Sequence, residues 1–209
     1  QDHKKVGEND TGDNTGGMGA YSPTGLITEE LHRRIMDEVV SRTLRGLQER
    51  GLSYKGVIYP GLKIKDNSPF VLEYNIRFGD PETQPVLSLL ESDLYEAMND
   101  VIDGRKPDLK WRDGYAVCVV LASKGYPGQY EKGKRISGLD SRKENVVVFH
   151  AGTRYENGIL YTSGGRVLGV TATGNSVEEA RRRAYDAIDS IHFDNAYFRG
   201  DIAHRELIR

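Results

Sequence analysis

The stretch Phe70 to Gln84, FVLEYNIRFGDPETQ, concentrates residues that could do chemistry. It opens as a strand, in which successive side chains point to opposite faces. Leu72, Tyr74 and Ile76 share one face; Glu73, Asn75 and Arg77 share the other. An acid, an amide and a base on one face of an otherwise apolar strand need partners, because burying them unpaired is costly. Mg²⁺ suits them, since it accepts carboxylate and amide oxygens and completes its shell with substrate phosphates. Beyond the strand, Gly79 allows a tight turn. Asp80 is a candidate helix cap, with Pro81 in the first helical position. A metal-suited strand thus runs into a helix start, where backbone N–H groups favour anions.

The elements around that stretch follow from periodicity. Thr28 to Arg50 reads as a helix, capped by Thr28, with Leu31, Ile35, Val39, Val40, Leu44 and Leu47 at helical spacing and Gly51 at its end. Tyr54 to Ile64 and Phe70 to Phe78 read as an antiparallel hairpin across the turn Lys65–Pro69. A helix then runs through Leu90, and Ser92 caps another from Asp93 to Asp103, with Leu94, Ala97, Met98 and Val101 inward. Pro107 and Trp111 lie in a linker. From Gly114 the pattern turns to strands: Tyr115–Ala122, a buried apolar run, then Val146–His150, Ile159–Tyr161 and Arg166–Ala172. Ser176-Val177-Glu178-Glu179 is a capping box opening a helix to about Ile191, and Asp201 caps a short last helix.

Asp10 to Ser22, DTGDNTGGMGAYS, reads as a flexible loop whose backbone amides could wrap a phosphate or carboxylate. By composition alone, a plain surface loop is the better reading. Lys4 could reach a phosphate as a point charge, and a solvated terminal lysine fits equally well. His3 is a base on paper only. His150 reads as structural, and His32, His192 and His204 as surface residues. Cys118 stands alone in an apolar run, which excludes an internal disulfide and points to a buried thiol.

The 209 residues suffice for one large or two small domains. Charged residues make up 29% and apolar ones 37%, as in soluble globular chains. The net charge of -2 gives no reason to expect a nucleic-acid or membrane partner. No apolar run reaches spanning length and no signal peptide is visible, so a cytoplasmic location is expected. Gly is abundant at 24 residues and clusters in loops, hinting at backbone near ligands.

Glu73-Tyr74-Asn75-Ile76-Arg77-Phe78-Gly79-Asp80-Pro81-Glu82-Thr83-Gln84 resembles, without a gap, the signature of the phosphoribosylamine–glycine ligase family of ATP-grasp enzymes. The resemblance extends to QDHKKVGENDTGDNTGGMGAYSP, KGYPGQY, FHAGT and SGGRVLGVTA, and so covers essentially the whole chain. Asp13 departs from the family's proline, which makes that loop less rigid. The resemblance implies an α+β chain, with the carboxy-terminal part of an ATP-grasp domain over 1–106. A small, mostly β, rudimentary barrel-like C-terminal domain follows over 107–209. The missing Met and the family's roughly double length suggest a fragment, by itself inactive.

The resemblance further implies ATP-dependent joining of glycine to 5-phosphoribosylamine through glycyl phosphate, in purine biosynthesis. Glu73 and Asn75 would hold Mg²⁺ (or Mn²⁺) on ATP phosphates. Arg77 would stabilise the transferring phosphoryl group, and the Gly79 N–H a tetrahedral oxyanion. Lys4, Asn14, Gly16, Gly17 and Asp80 would contact substrate or nucleotide. Arg166 would take the ribose 5-phosphate, with a structural salt bridge as the competing reading. The implied partners are small molecules, with other enzymes of purine biosynthesis admitted. Two alternatives remain: another carboxylate–amine ATP-grasp ligase, against which RFGDPETQ argues, and a non-catalytic module, against which intact Glu73, Asn75 and Arg77 argue.

Overall fold

The structure is a computed structural model that describes residues 1–140 and 143–209. In chain order its strands and helices begin with β1 (Lys5–Gly7), β2 (Thr11–Asn14) and β3 (Gly19–Ser22). A continuous helix follows, α1 (Glu29–Arg34), a π-wound stretch (Ile35–Ser41) and α2 (Arg42–Glu49). Next come β4 (Tyr59–Lys65), β5 (Ser68–Asn75), α3 (Thr83–Ser88), α4 (Leu94–Ile102) and β6 (Tyr115–Ser123). The chain continues through β7 (Arg135–Ile136), β8 (Val146–His150), β9 (Thr153–Glu156), β10 (Ile159–Thr162) and β11 (Arg166–Gly174). It closes with α5 (Val177–Ile188), β12 (Ala196–Tyr197) and α6 (His204–Leu207). It divides into two compact units. The first gathers Gln1–Pro23, Asp80–Leu90 and Trp111–Arg209; the second gathers Thr24–Gly79 and Glu91–Lys110. The units are therefore interleaved along the chain rather than separated by one cut.

The first unit is built on an antiparallel sheet in the order β12-β6-β11-β8, with β3 also pairing β6. The apolar run that predicts a buried strand becomes β6, buried from Ala116 to Ser123. Its neighbour β11 is buried from Val167 to Ala172. The helix α5 covers this sheet with Ala180, Ala184, Ala187 and Ile188. Small residues there let the helix approach closely. Ser176 caps it by accepting from the Glu179 N–H at 3.1 Å, while Glu179 reaches back to the Asn175 N–H at 2.7 Å. The reciprocal half of the expected box thus falls one residue earlier. A three-stranded sheet, β7-β10-β9, sits beside it in the same unit.

Two sequence expectations need correction here. The loop expected over Asp10–Ser22 contains two strands: β2 pairs β1, and β3 docks on β6 with Ala20 opposite Cys118. Nonlocal pairing orders a segment whose composition favours a loop. Asp201 does not cap the last helix. Ala203 occupies that position, and Asp201 instead binds Arg199 through both carboxylate oxygens at 2.7 Å.

In the second unit the long helix starts where expected: Thr28 accepts from the Leu31 N–H at 3.2 Å. The hairpin is tighter than predicted. Lys65 pairs with Ser68, leaving Asp66 and Asn67 as a two-residue turn with φ of 50° and 54°. Both residues in that region are the mark of a type I′ turn, which suits the twist of paired strands. Residues 54–58 lie outside the strand. α4 is capped by Asp93, one residue after the predicted Ser92, through the N–H groups of Tyr95 and Glu96. Of its expected inner face only Ala97 is buried, and Met98 is 46% exposed.

Candidate functional site

In the second unit, β5 delivers Glu73 and Asn75 to one face, as alternation requires. Tyr74 points to the other face, where its hydroxyl meets Thr43 of α2 at 2.7 Å. The Asn75 side-chain amide donates to Glu73 Oε1 at 3.0 Å. Among the described residues, neither Glu73 Oε2 nor the amide oxygen of Asn75 has a hydrogen-bond partner. Gly61 lies directly across the ladder from Glu73, and a Cβ there would come within 3.0 Å of Glu73 Cγ. The glycine thus gives the carboxylate room to lie over β4. Glu73 is exposed and Asn75 half-buried. The pair is therefore not the buried polar island that the alternation suggested.

Arg77 departs from the expected geometry. The strand ends at Asn75, so Arg77 sits in the bend beyond it and is not held by the ladder. Its guanidinium folds back on the carbonyl of Phe78 at 3.0 Å. Gly79 is buried and has partners of its own.

In the first unit, Asp80 does not cap a helix. α3 begins at Thr83, with Glu82 in the capping position and no side-chain cap. Asp80 works instead with Arg166. Arg166 Nη1 lies 2.9 Å from the Asp80 carbonyl and 3.2 Å from its carboxylate, and 3.1 and 3.4 Å from the carbonyls of Gly16 and Gly17. Arg166 therefore ties the start of the GDPE segment to the glycine-rich loop. The structural bridge that competed with a phosphate role is present on Nη1.

That loop does not offer its amides to an anion. The Gly16 N–H donates to the Tyr126 hydroxyl at 3.0 Å, and the Gly17 N–H to Thr15 Oγ1 at 2.9 Å. The N–H groups of Thr15 and Met18 go to the carbonyls of Lys4 and His3. Gly17 has φ of 120°, and a Cβ there would meet Pro81 at 2.4 Å, so only glycine fits. The loop is a close-packed scaffold, held by backbone on both sides.

Lys4 Nζ sits 2.6 Å from Asp2 and 3.3 Å from Glu82. Burial opposes its charge, but those carboxylates prevail and raise its pKa. Asn14 is exposed at the end of β2. His3 is 1% exposed, and its Nε2 accepts from the Ala203 N–H at 3.1 Å. Desolvation, then the charges of Arg199 and Arg205, push its pKa down to about 3. It is a neutral structural histidine. His150 is bonded to Thr153 at 3.2 Å. Burial drives the Cys118 thiol up to about 12, which makes it inert. Sequence reasoning missed Tyr126 as a neighbour of the loop, although KGYPGQY had marked its segment.

Two donor oxygens on one strand suit a hard cation that takes its remaining ligands from phosphates. Among the described residues, no group of three or more His, Cys, Asp or Glu could hold a metal alone. None of their helices is long and apolar enough to cross a membrane.

Comparison with known proteins gives a consistent result. Residues 1–83 match the model of the phosphoribosylglycinamide synthetase ATP-grasp (A) domain, and residues 116–205 that of its C domain. The phosphoribosylamine–glycine ligase of Vibrio vulnificus (strain YJ016) is 50% identical over 213 residues, covering 100% of this chain and 50% of that protein. The protein of that name from Rhizobium meliloti is 47% identical, with the same coverage. The crystal structure of phosphoribosylamine–glycine ligase from Thermotoga maritima superposes with a TM-score of 0.87 at 40% identity, covering 97% of this chain and 50% of that one. The biotin carboxylase subunit of pyruvate carboxylase shares the fold alone, with a TM-score of 0.65 at 14% identity and coverage of 94% of this chain and 42% of that one. The chain spans about half the length of the curated relatives it matches. With both domain models matched in order and relatives near half identity along its whole length, the chain belongs to the phosphoribosylglycinamide synthetase family.

Proposed function

We propose that the protein carrying this chain joins glycine to 5-phosphoribosylamine at the expense of ATP, yielding glycinamide ribonucleotide, ADP and phosphate for purine biosynthesis. The observation that carries the reading is the Glu73–Asn75 pair, with Glu73 opposite Gly61, followed by Arg77 in an ungapped family signature. In the first step a glycine carboxylate oxygen attacks the γ-phosphorus. The bond to the β–γ bridging oxygen breaks and ADP leaves. In the second, the phosphoribosylamine nitrogen attacks the acyl carbon of glycyl phosphate. The C–N bond forms, phosphate departs and the amine loses a proton. Catalysis of this kind rests on positioning and charge neutralisation, and no nucleophilic side chain is needed.

Glu73 Oε2 and the Asn75 amide oxygen would hold Mg²⁺, for which Mn²⁺ could substitute; the bound ion neutralises phosphate charge. Arg77, released from the Phe78 carbonyl, offers a planar fork to phosphoryl oxygens. Gly79 shapes the turn as it leaves the strand, and its backbone N–H is the candidate oxyanion donor. Lys4 and Asn14 serve substrate or nucleotide. Gly16, Gly17 and Asp80 act through Arg166, whose position they fix. Small-molecule substrates, cytoplasmic location and inactivity of the chain in isolation belong to the same reading, as does association with other purine enzymes.

ADP release by the whole protein that carries this chain, with each substrate omitted in turn, tests the reading. ADP should form only when glycine and 5-phosphoribosylamine are both present. Glu73→Ala should reduce it at least a hundredfold while leaving the circular dichroism spectrum unchanged. ADP release indifferent to glycine would overturn the substrate assignment.

A further inference from the structure

Arg166 spends its donors unevenly. Four oxygens crowd Nη1, at 2.9 to 3.4 Å, although that nitrogen carries only two hydrogens. Nε and Nη2 have no acceptor among the described residues. They form the edge of the guanidinium that grips two oxygens side by side. The side chain is only 22% exposed. Tyr126 is in the same condition. Its hydroxyl accepts from the Gly16 N–H, and its own hydrogen has no acceptor among the described residues.

The two groups flank one spot. A Cβ on Gly16 would lie 3.1 Å from Arg166 Nη2 and 3.3 Å from the Tyr126 hydroxyl. The tyrosine is seated deliberately by the chain. Its ring lies on Gly165, where a Cβ would come within 2.3 Å of Tyr126 Cδ2, and Tyr130 packs against it edge-on. Gly165 immediately precedes Arg166, so the same turn that seats the ring starts the strand carrying the guanidinium.

The geometry points to Tyr126 as a second binding residue for the phosphate monoester of the amine substrate, its O–H donating to the group that Arg166 grips through Nε and Nη2. Three donors from two side chains match the three terminal oxygens of a phosphate monoester, whereas a carboxylate offers two. The Asp80 carboxylate lies on the Nη1 side and leaves the Nε–Nη2 edge open. The inference rests on the ligase reading and extends it to a residue that reading does not include.

Calorimetric binding of ribose 5-phosphate, ribose and glycine to the whole protein and to its Tyr126→Phe variant tests it. The substitution keeps the ring on Gly165 and removes only the hydroxyl. Loss of one hydrogen bond to a charged group should weaken ribose 5-phosphate about tenfold and leave glycine unchanged. Equal ribose 5-phosphate affinity in both proteins would overturn the proposal. So would a matching loss for ribose, which would show that the hydroxyl only holds the loop. No measurable ribose 5-phosphate binding by the unsubstituted protein would overturn it too, while glycine-dependent ADP release would leave the ligase reading standing.

Discussion

A histidine beside a glycine-rich loop invites an acid–base role, yet His3 is sealed in the first unit, its Nδ1 without a partner among the described residues and its Nε2 on the Ala203 N–H. Its depressed pKa has a thermodynamic consequence. Between pH 6.5 and about 3 the unfolded chain binds a proton at His3 that the folded chain refuses. Stability at this residue is therefore complete above pH 6.5 and falls as pH drops, at about 1.4 kcal/mol per unit. Between pH 7 and 5 that amounts to about 2 kcal/mol. Urea unfolding of the native protein and of His3→Gln, which keeps an acceptor but cannot titrate, should differ by that much in their change over the interval. Parallel pH profiles would show that His3 is protonated in the folded state. Side-chain type made Cys118 and Thr28 legible from sequence, since a lone thiol in an apolar run and a threonine before two glutamates have few other uses. His3 was not legible, and for Lys4 only the neighbouring Asp2 was within reach of the sequence, because Ala203 and Glu82 lie far along the chain.

Elements show the same division. β6, β11 and α5 could be read directly, because burial on one or both faces writes a period into the sequence. β1, β2 and β12 could not, being short and existing only through pairing. The segment 197–206 illustrates why. It clasps the N-terminal strands through Arg199, which is 1% exposed. The guanidinium binds Asp201 twice at 2.7 Å, the Lys5 carbonyl at 2.9 Å and Asp10 at 3.3 Å. Glu8 and Asn9 add bonds to the Gly200 N–H and to Asp201. Against the cost of burial, Arg199 holds the Asp201 carboxyl below its ordinary range. Removing one member of such a network strands the remaining charges. Arg199→Met should therefore cost about 3–5 kcal/mol in urea unfolding. A loss under about 1 kcal/mol would mean that water replaces the guanidinium and that β1 is held by its backbone alone. The strand that bears Glu73 and Asn75 was legible in type and face, while the exact end of β5, which frees Arg77, depends on where its ladder with β4 stops.

At the scale of the whole chain the apolar core is unequally shared. The first unit holds Val117, Val119, Leu121, Val167, Leu168 and Val170 at 3% exposure or less. In the second unit the buried hydrophobic residues are Leu31, Val39 and Ala97. Its hairpin and the bend beyond it leave Phe70, Leu72 and Ile76 at 54%, 69% and 74% exposure. Stability scales with apolar area removed from water, at roughly 25 cal/mol per Å², so the two units should not open at the same free energy. Local opening is governed by the unit in which an amide sits. Hydrogen exchange followed by mass spectrometry should then show amides of β4, β5 and α4 exchanging at least a hundredfold faster than those of β6 and β11. Unfolding in urea should proceed in two steps, with the apolar hairpin lost first. Uniform protection across β5 and β6, with a single cooperative transition, would show that the sparse core of the second unit is not its limiting stability. The expected order has a functional reading, because the strand that bears Glu73 and Asn75 lies in the less stable unit, where ordering by bound nucleotide and metal would register as slowed exchange.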